Sequence, residues 1–275
     1  MVELRQLKLD QPELAAAVDL QLALVSMQRR VQARVPLPWI QVDPAWLEAQ
    51  QAAGRPMVRF GDIPLDWTDF RLTFRQTADI LYRFEVLERG DHDRIVALGR
   101  DGHALEPLLA AWYTATSGID GRSGTPPSGL PDDAPAGLDQ VLLLALRPFL
   151  ARSTESLSQR IDLSAWHEGH CPFCGWEPDF AVIMPNAERR LICGRCVAQW
   201  KFPSLACPFC ANDDRARITS FATRDGRYRV SACDACQRYL KAYDSRTAPR
   251  PVMLAVDSIA TLPLDAAAMQ RGYVG

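Results

Sequence analysis

The chain has 275 residues, 48% of them hydrophobic, and a formal net charge of -2. That is more than one usual domain and enough apolar content for a real core, so two or three units are expected. A near-neutral balance supplies no global basic field for holding nucleic-acid phosphates, and the longest aliphatic run, Val141 to Leu146, is far short of the roughly 18 residues that suggest a membrane span.

Met1-Val2-Glu3-Leu4-Arg5 is followed by no apolar stretch of the signal-peptide kind, so a reducing, cytoplasmic setting is expected. The first 160 or so residues contain no cysteine and read as helical. Asp10-Gln11-Pro12-Glu13 opens a helix whose Leu14, Val18, Leu22 and Val25 follow a helical period, ending near Val35 before Pro36-Leu37-Pro38. Asp43-Pro44 starts a second helix running to Ala53, where Gly54 stops it. Phe70 to Arg89, Asp91 to Leu98 and Leu105 to Thr116 supply three more. Ser117 to Gly137, with five glycines and four prolines, reads as a mobile loop. Leu138 to Arg152 is a strongly apolar helix at the centre of the helical core, with Pro148 expected to kink it or end it early. Ser153 to His170 is polar and reads as a connector.

All eight cysteines then fall between positions 171 and 236 as four C-x-x-C pairs, Cys171/Cys174, Cys193/Cys196, Cys207/Cys210 and Cys233/Cys236. A C-x-x-C turn sets two sulfurs on one side of a tight loop, and two such turns complete the tetrathiolate set that zinc or iron takes up. Gaps of 18, 10 and 22 residues predict pairing in sequence order, first with second and third with fourth, each long gap being one hairpin. Disulfides are disfavoured in a reducing compartment, and a thioredoxin-type redox motif occurs once rather than four times. Phe180 to Met184 and Arg190 to Ile192 flank one turn, and Ile218 to Thr223 and Tyr228 to Ser231 flank Asp225-Gly226.

The fold class expected is therefore α+β. An all-α domain over residues 1–165 precedes two small rubredoxin-like or zinc-ribbon modules, 166–206 and 207–275, each with its own four-cysteine site and the last carrying the C-terminal tail. Modules of about 40 residues bury too little apolar surface to be stable alone, so the ion would supply much of their folding free energy. A saturated four-sulfur site also leaves no open position for a substrate, which argues for a non-enzyme.

Other candidate chemistry is thin. His167-Glu168-Gly169-His170 lacks a residue relative to the H-E-x-x-H metalloprotease helix, so its imidazoles would not share a face. His92 and His103 sit among charged residues with no evident partner. No P-loop, nucleophile elbow or helix-opening G-x-G-x-x-G is present. Between 207 and 250, nine basic residues including Arg227, Arg229 and Lys241 face five aspartates, a local bias that suits an acidic partner.

The knuckle region resembles FdhE-type formate dehydrogenase accessory proteins. The likeness is carried by Cys171-Pro172-x-Cys174-Gly175, by Leu191-x-Cys193-x-x-Cys196 with Trp200, by Cys207-x-x-Cys210, and by Cys233-x-x-Cys236-x-x-Tyr239-Leu240-Lys241. Asp257 to Asp265 and Gly272-Tyr273 extend it through the tail, although Val256 stands where the family usually has an aspartate. The resemblance implies a cytoplasmic, non-catalytic maturation factor that binds two iron ions in rubredoxin-like sites, with zinc as the alternative. It would act on the catalytic subunit of a respiratory formate dehydrogenase before export. Arg227, Arg229, Tyr239 and Lys241 are the partner-binding candidates on this reading. A zinc-ribbon nucleic-acid protein and a rubredoxin-like electron carrier are the alternatives.

Overall fold

The structure is a computed structural model that describes residues 1–117, 129–247 and 250–275. Helices α1 (Val2–Asp10), α2 (Ala15–Gln32), α3 (Pro44–Ala52), α4 (Trp67–Arg83), α5 (Arg89–Leu98), α6 (Gly102–Thr116) and α7 (Leu138–Ser158) come first. Strands β1 (Pro178–Ile183), β2 (Arg189–Cys193), β3 (Gln199–Lys201), β4 (Ile218–Ala222), β5 (Tyr228–Cys233) and β6 (Arg238–Asp244) follow, and α8 (Leu254–Ala260) and α9 (Leu262–Met269) close the chain. The α+β order expected from the sequence is the order observed. Residues 118–128 of the loop expected over 117–137 lie outside the described residues.

Local chemistry accounts for the helix starts. The carboxylates of Asp43, Asp66 and Asp101 accept from backbone N–H groups of Ala45, of Asp69, and of His103 and Ala104, satisfying donors that a first turn leaves orphaned. On α4 the buried residues Phe70, Phe74, Thr77, Ala78 and Leu81 form one stripe. Helix α7 is buried on most of its circumference and is the axis of the core.

Of the kink or early end expected at Pro148, the early end does not occur: the proline lies inside α7. A proline removes the N–H owed to the carbonyl four residues back. Here Gln28 Nε2 of α2 donates to that orphaned Leu144 carbonyl at 2.9 Å, so the helix continues to Ser158 and absorbs the start of the supposed connector. Helix α1 is an addition to the expected elements; its Leu4 and Leu7 pack with Leu14 and Val18 against Val256 of α8, bringing the two chain ends together.

The strands form one six-stranded sheet in the order β3-β2-β1-β6-β5-β4. Its pairs are antiparallel except β1 and β6, which run parallel with Ala181, Val182 and Ile183 opposite Ala242, Tyr243 and Asp244. The two ribbons are thus halves of one sheet rather than separate bodies. The helical core likewise does not stop at residue 165: Leu142, Ala145, Phe149, Trp112 and Tyr113 share a continuous apolar cluster with Cys171, Cys174, Cys193, Cys196 and Trp200. Backbone N–H groups of Met57 and Val58 donate to the carbonyls of Pro172 and Phe173, tying the helical half to the first knuckle.

Candidate metal centres

Each C-x-x-C pair makes the same turn. The N–H of the residue after the second cysteine donates to the carbonyl of the first, from Gly175 to Cys171, Val197 to Cys193, Ala211 to Cys207 and Gln237 to Cys233, at 2.8 to 3.2 Å. That residue is left-handed every time, with φ of 71° at Gly175, 56° at Val197, 57° at Ala211 and 57° at Gln237. Closing the turn this way turns both sulfurs inward.

The knuckles pair in sequence order. Cys171, Cys174, Cys193 and Cys196 form one group and Cys207, Cys210, Cys233 and Cys236 the other, each with its sulfurs within 4.8 Å of one another. Sulfur separations are 3.5 Å for Cys171 to Cys196 and Cys174 to Cys193, and 3.6 to 3.7 Å for Cys207 to Cys236 and Cys210 to Cys233. A tetrahedral ion bound through sulfurs at roughly 2.3 Å separates them by about 3.8 Å, so either cluster could hold a metal ion.

Their surroundings differ. All four sulfurs of the first cluster belong to buried residues, whereas in the second Cys210 is exposed and Cys236 half-buried. Burial pushes the thiols of Cys171 and Cys174 well up. At Cys196 burial acts the same way, but hydrogen bonds with the other three thiols, foremost among the groups opposing it, outweigh it and hold the thiol well below its ordinary range. Cys193 Sγ accepts from the N–H groups of Arg195 and Cys196 at 3.3 and 3.4 Å. In the second cluster burial raises Cys207 and pushes Cys236 up to about 11, while N–H groups of Cys236 and Ala235 override burial and lower Cys233.

Two arginines that sequence reasoning overlooked stand beside the first cluster. Arg195, fully buried, lies over Trp176, Trp112 and Tyr113 at 4.0, 4.7 and 5.2 Å and donates to Ser117 Oγ at 3.1 Å and Thr116 Oγ1 at 2.5 Å. Arg147 of α7 donates to the Gly194 carbonyl inside the second knuckle. Burial lowers its pKa, opposed by the charges of Asp179, Cys193 and Cys196. The signal was a lone cation in the apolar run of α7, and an arginine between two cysteine ligands.

The second cluster has its own cations. Arg189 is buried, donates to the Ala206 carbonyl at 3.0 Å, and is lowered to about 10 by desolvation against the pull of Cys207. Arg238 forks onto Glu177 at 2.6 and 2.8 Å and lies 3.8 Å over Phe209. A cleft of about 810 Å³ separates the knuckles, with Trp176, Phe202, Pro208, Phe209 and Cys210 among its walls.

The partner-binding candidates are not one free surface. Tyr239 and Lys241 both donate to Asp265 of α9, at 2.6 and 2.5 Å, and are buried or nearly so. Arg229 is paired at 2.7 Å with the fully buried Asp244, which Arg246 also grips. Arg227, next to Asp225, keeps an exposed side chain. The acidic tail is likewise turned inward: Asp257 accepts from Tyr228 Oη, Arg250 and the Met253 N–H, and Tyr273 Oη donates to Asp234. His170 Nε2 lies 3.0 Å from the Gly54 carbonyl and Trp200 Nε1 donates to the Glu168 carbonyl, so the His167 to His170 stretch is a strap across the first ribbon. His92, expected to lack a partner, stacks on Tyr82 and contacts Asp79 at 2.9 Å.

No protein-family model matches the chain. A stretch of 107 residues, 38% of the chain, is 27% identical to Protein FdhE of Escherichia coli strain K12, of which it covers 34%. A protein FdhE homolog of Erwinia tasmaniensis is 27% identical over 103 residues, 33% of its length. The matched stretch thus spans about a third of the length of these curated relatives. The crystal structure of the FdhE protein from Pseudomonas aeruginosa aligns over 99% of this chain and 90% of that one, with a TM-score of 0.64 and 21% identity, which shows a shared fold. The likeness to FdhE-type proteins read from the knuckles and tail is met in both sequence and fold.

Proposed function

We propose that this chain is a non-catalytic accessory protein in the maturation of a formate dehydrogenase, binding the catalytic subunit in the cytoplasm before export and carrying two sulfur-bound ions, iron or zinc. The observation that carries the reading is the pair of closed four-sulfur clusters on an FdhE-like fold. A tetrathiolate presents no vacant coordination position, so an ion there shapes a surface rather than activating a substrate. The absence of any helix, among the described residues, long and apolar enough to cross a membrane is compatible with action before export. Of the basic candidates, Arg227 on the β4–β5 turn is the one presented outward, with Arg229 beside it.

The test is genetic and biochemical. A host lacking this chain should make the formate dehydrogenase polypeptide but lose its activity, and restoring the full chain should rescue it. Metal-loaded protein should capture the catalytic subunit, and Arg227→Glu should weaken capture more at low salt than at high salt. Undiminished activity in the deletion host would end this reading. One observation favours the electron-carrier alternative, the exposure of Cys210 at the second cluster. Fast reversible reduction of the iron-loaded protein, without capture of the enzyme subunit, would establish it.

A further inference from the structure

Among the described residues, three buried side-chain polar atoms have no hydrogen-bond partner: Arg147 Nε, Thr154 Oγ1 and Arg195 Nε. All three belong to residues around the first cysteine cluster. Thr154, about two turns beyond Arg147 on α7, is near enough to Cys196 to favour its thiolate, Arg147 reaches the Gly194 carbonyl and feels Cys193 and Cys196, and Arg195 lies between the ligands Cys193 and Cys196 in the chain. Arg195 is buried outright, and Arg147, half-buried as a residue, has its Nε covered; a covered cation without a counter-charge is costly, and unpaired buried donors add to that cost. Arginine does not escape by losing its proton near neutral pH. Neither arginine forms a salt bridge with a carboxylate among the described residues; the only acid acting on Arg147 is Asp179, which is exposed. The missing negative charge is next door: four thiolates around a divalent ion leave two negative charges, around a trivalent ion one.

We infer that Arg147 and Arg195 are the counter-charges of the first tetrathiolate, that Thr154 donates to its Cys196 sulfur, and that this cage suits the cluster to a divalent ion it releases slowly. The second cluster is built otherwise. Its Arg238 is already neutralised by Glu177, leaving Arg189 as the buried cation, and Cys210 is open to solvent. The inference rests on both clusters binding metal, but not on the formate dehydrogenase role, and the experiment separates these.

Full-length protein is loaded with zinc, its stoichiometry measured, and release to a chromophoric chelator followed in time. Two ions should leave in two phases, with Cys210→Ala abolishing only the fast one. Arg147→Met should accelerate the slow phase about 10–100-fold, the range seen when groups behind metal ligands are removed, and leave the fast phase unchanged. Arg147→Lys should restore most of the slow release. Thr154→Val, a near-isosteric change that spares both charges, should accelerate the slow phase several-fold and keeps the test open if Arg147→Met does not fold. In iron-loaded protein, Arg147→Met should move the first cluster's reduction potential to more negative values. Slow-phase rates within twofold of wild type in Thr154→Val, and in Arg147→Met where it folds, would overturn the proposal. Fewer than two bound ions in the wild type would overturn the metal reading on which it stands.

Discussion

The two cysteine clusters are built from the same knuckle and live in different surroundings. The first is enclosed by α6, α7 and the strap at His167 to His170, with the buried Arg195 and the half-buried Arg147 beside it; the second is at the sheet's far side with one cysteine exposed. Ligand identity is a matter of local spacing, but what an ion does for the protein is decided by the packing around it. In the first cluster the ion would be part of the core that holds the helices. In the second it would hold a ribbon at the surface.

The sharpest way to break that contrast is to remove one sulfur from each. Cys174→Ala leaves a buried, incomplete cluster inside the shared core, and structural zinc sites contribute on the order of 10–16 kcal/mol to small domains. It should abolish cooperative unfolding and cost much of the helical circular dichroism or all soluble protein, while Cys210→Ala keeps both. Helical signal that survives Cys174→Ala intact would show that the helices own a separate core. On the same argument, residues 1–165 alone lose the Trp200 and cysteine side of their core and should not fold, against the expectation of an independent helical domain.

A smaller effect is expected where the tail is pinned to the second ribbon. Asp257 is fully buried and gathers Tyr228, Arg250 and the Met253 N–H. Asp257→Ala strands those donors, and because Arg250 retains some solvent the cost should be about 2–4 kcal/mol rather than the full value of a broken buried pair. Urea midpoints measure it, and a shift worth under about 0.5 kcal/mol, the scale of an ordinary surface change, would mean the tail is not structural.

Much of this arrangement was legible in the chain. Gaps of 18 and 22 residues gave the pairing of knuckles, Asp225-Gly226 marked the β4–β5 turn, and aspartate before proline marked α3. What was not legible depended on partners distant in sequence. Gln28 rescues the carbonyl that Pro148 strands, 116 residues away, so helix continuation could not be read from the helix itself. Both faces of β6 are covered, Leu240 and Ala242 by the main core and Tyr239 and Tyr243 by clusters that include Leu264 and Ala268 of the tail, so all four are buried and no simple alternation survives. Tyr239 and Lys241 looked like a docking motif because Asp265, their partner, lies in a helix with almost no periodic signature.

Acid should expose a further asymmetry, since Asp244 locks the end of β6 in the second ribbon. Hydrogen bonds from Arg246, opposed by burial and reinforced by Arg229, hold its carboxyl well below the usual carboxylate range. A depressed folded value stabilises above the unfolded value of about 3.9 and is lost as pH falls through the folded one. The stability gap between wild type and Asp244→Asn should therefore be widest near neutral pH and narrow below about pH 4. Comparing the two chains at each pH cancels loss of metal common to both. A gap that stays constant down to about pH 3, below the unfolded carboxylate value, would remove Asp244 from the acid response.

The smallest expected effect compares the knuckles with one another. All four require a left-handed residue after the second cysteine, but only the first provides glycine. At Gly175 a Cβ would stand 2.6 Å from the Ser117 carbonyl oxygen and 3.1 Å from Pro56, so there glycine answers both to conformation and to space. Val197 meets the conformational demand with a β-branched side chain at φ 56°, 39% exposed, where a left-handed L-residue costs roughly 1–2 kcal/mol. Val197→Gly removes that strain and gives up part of a half-exposed side chain together with about 0.5–1 kcal/mol of unfolded-state entropy. The balance should be a gain of up to about 1 kcal/mol and slower ion release from the first cluster, because its knuckle no longer resists closing. Gly175→Ala should move both quantities the opposite way. If Val197→Gly instead lowers the melting temperature and speeds release, the valine side chain contributes more through its contacts than its backbone costs.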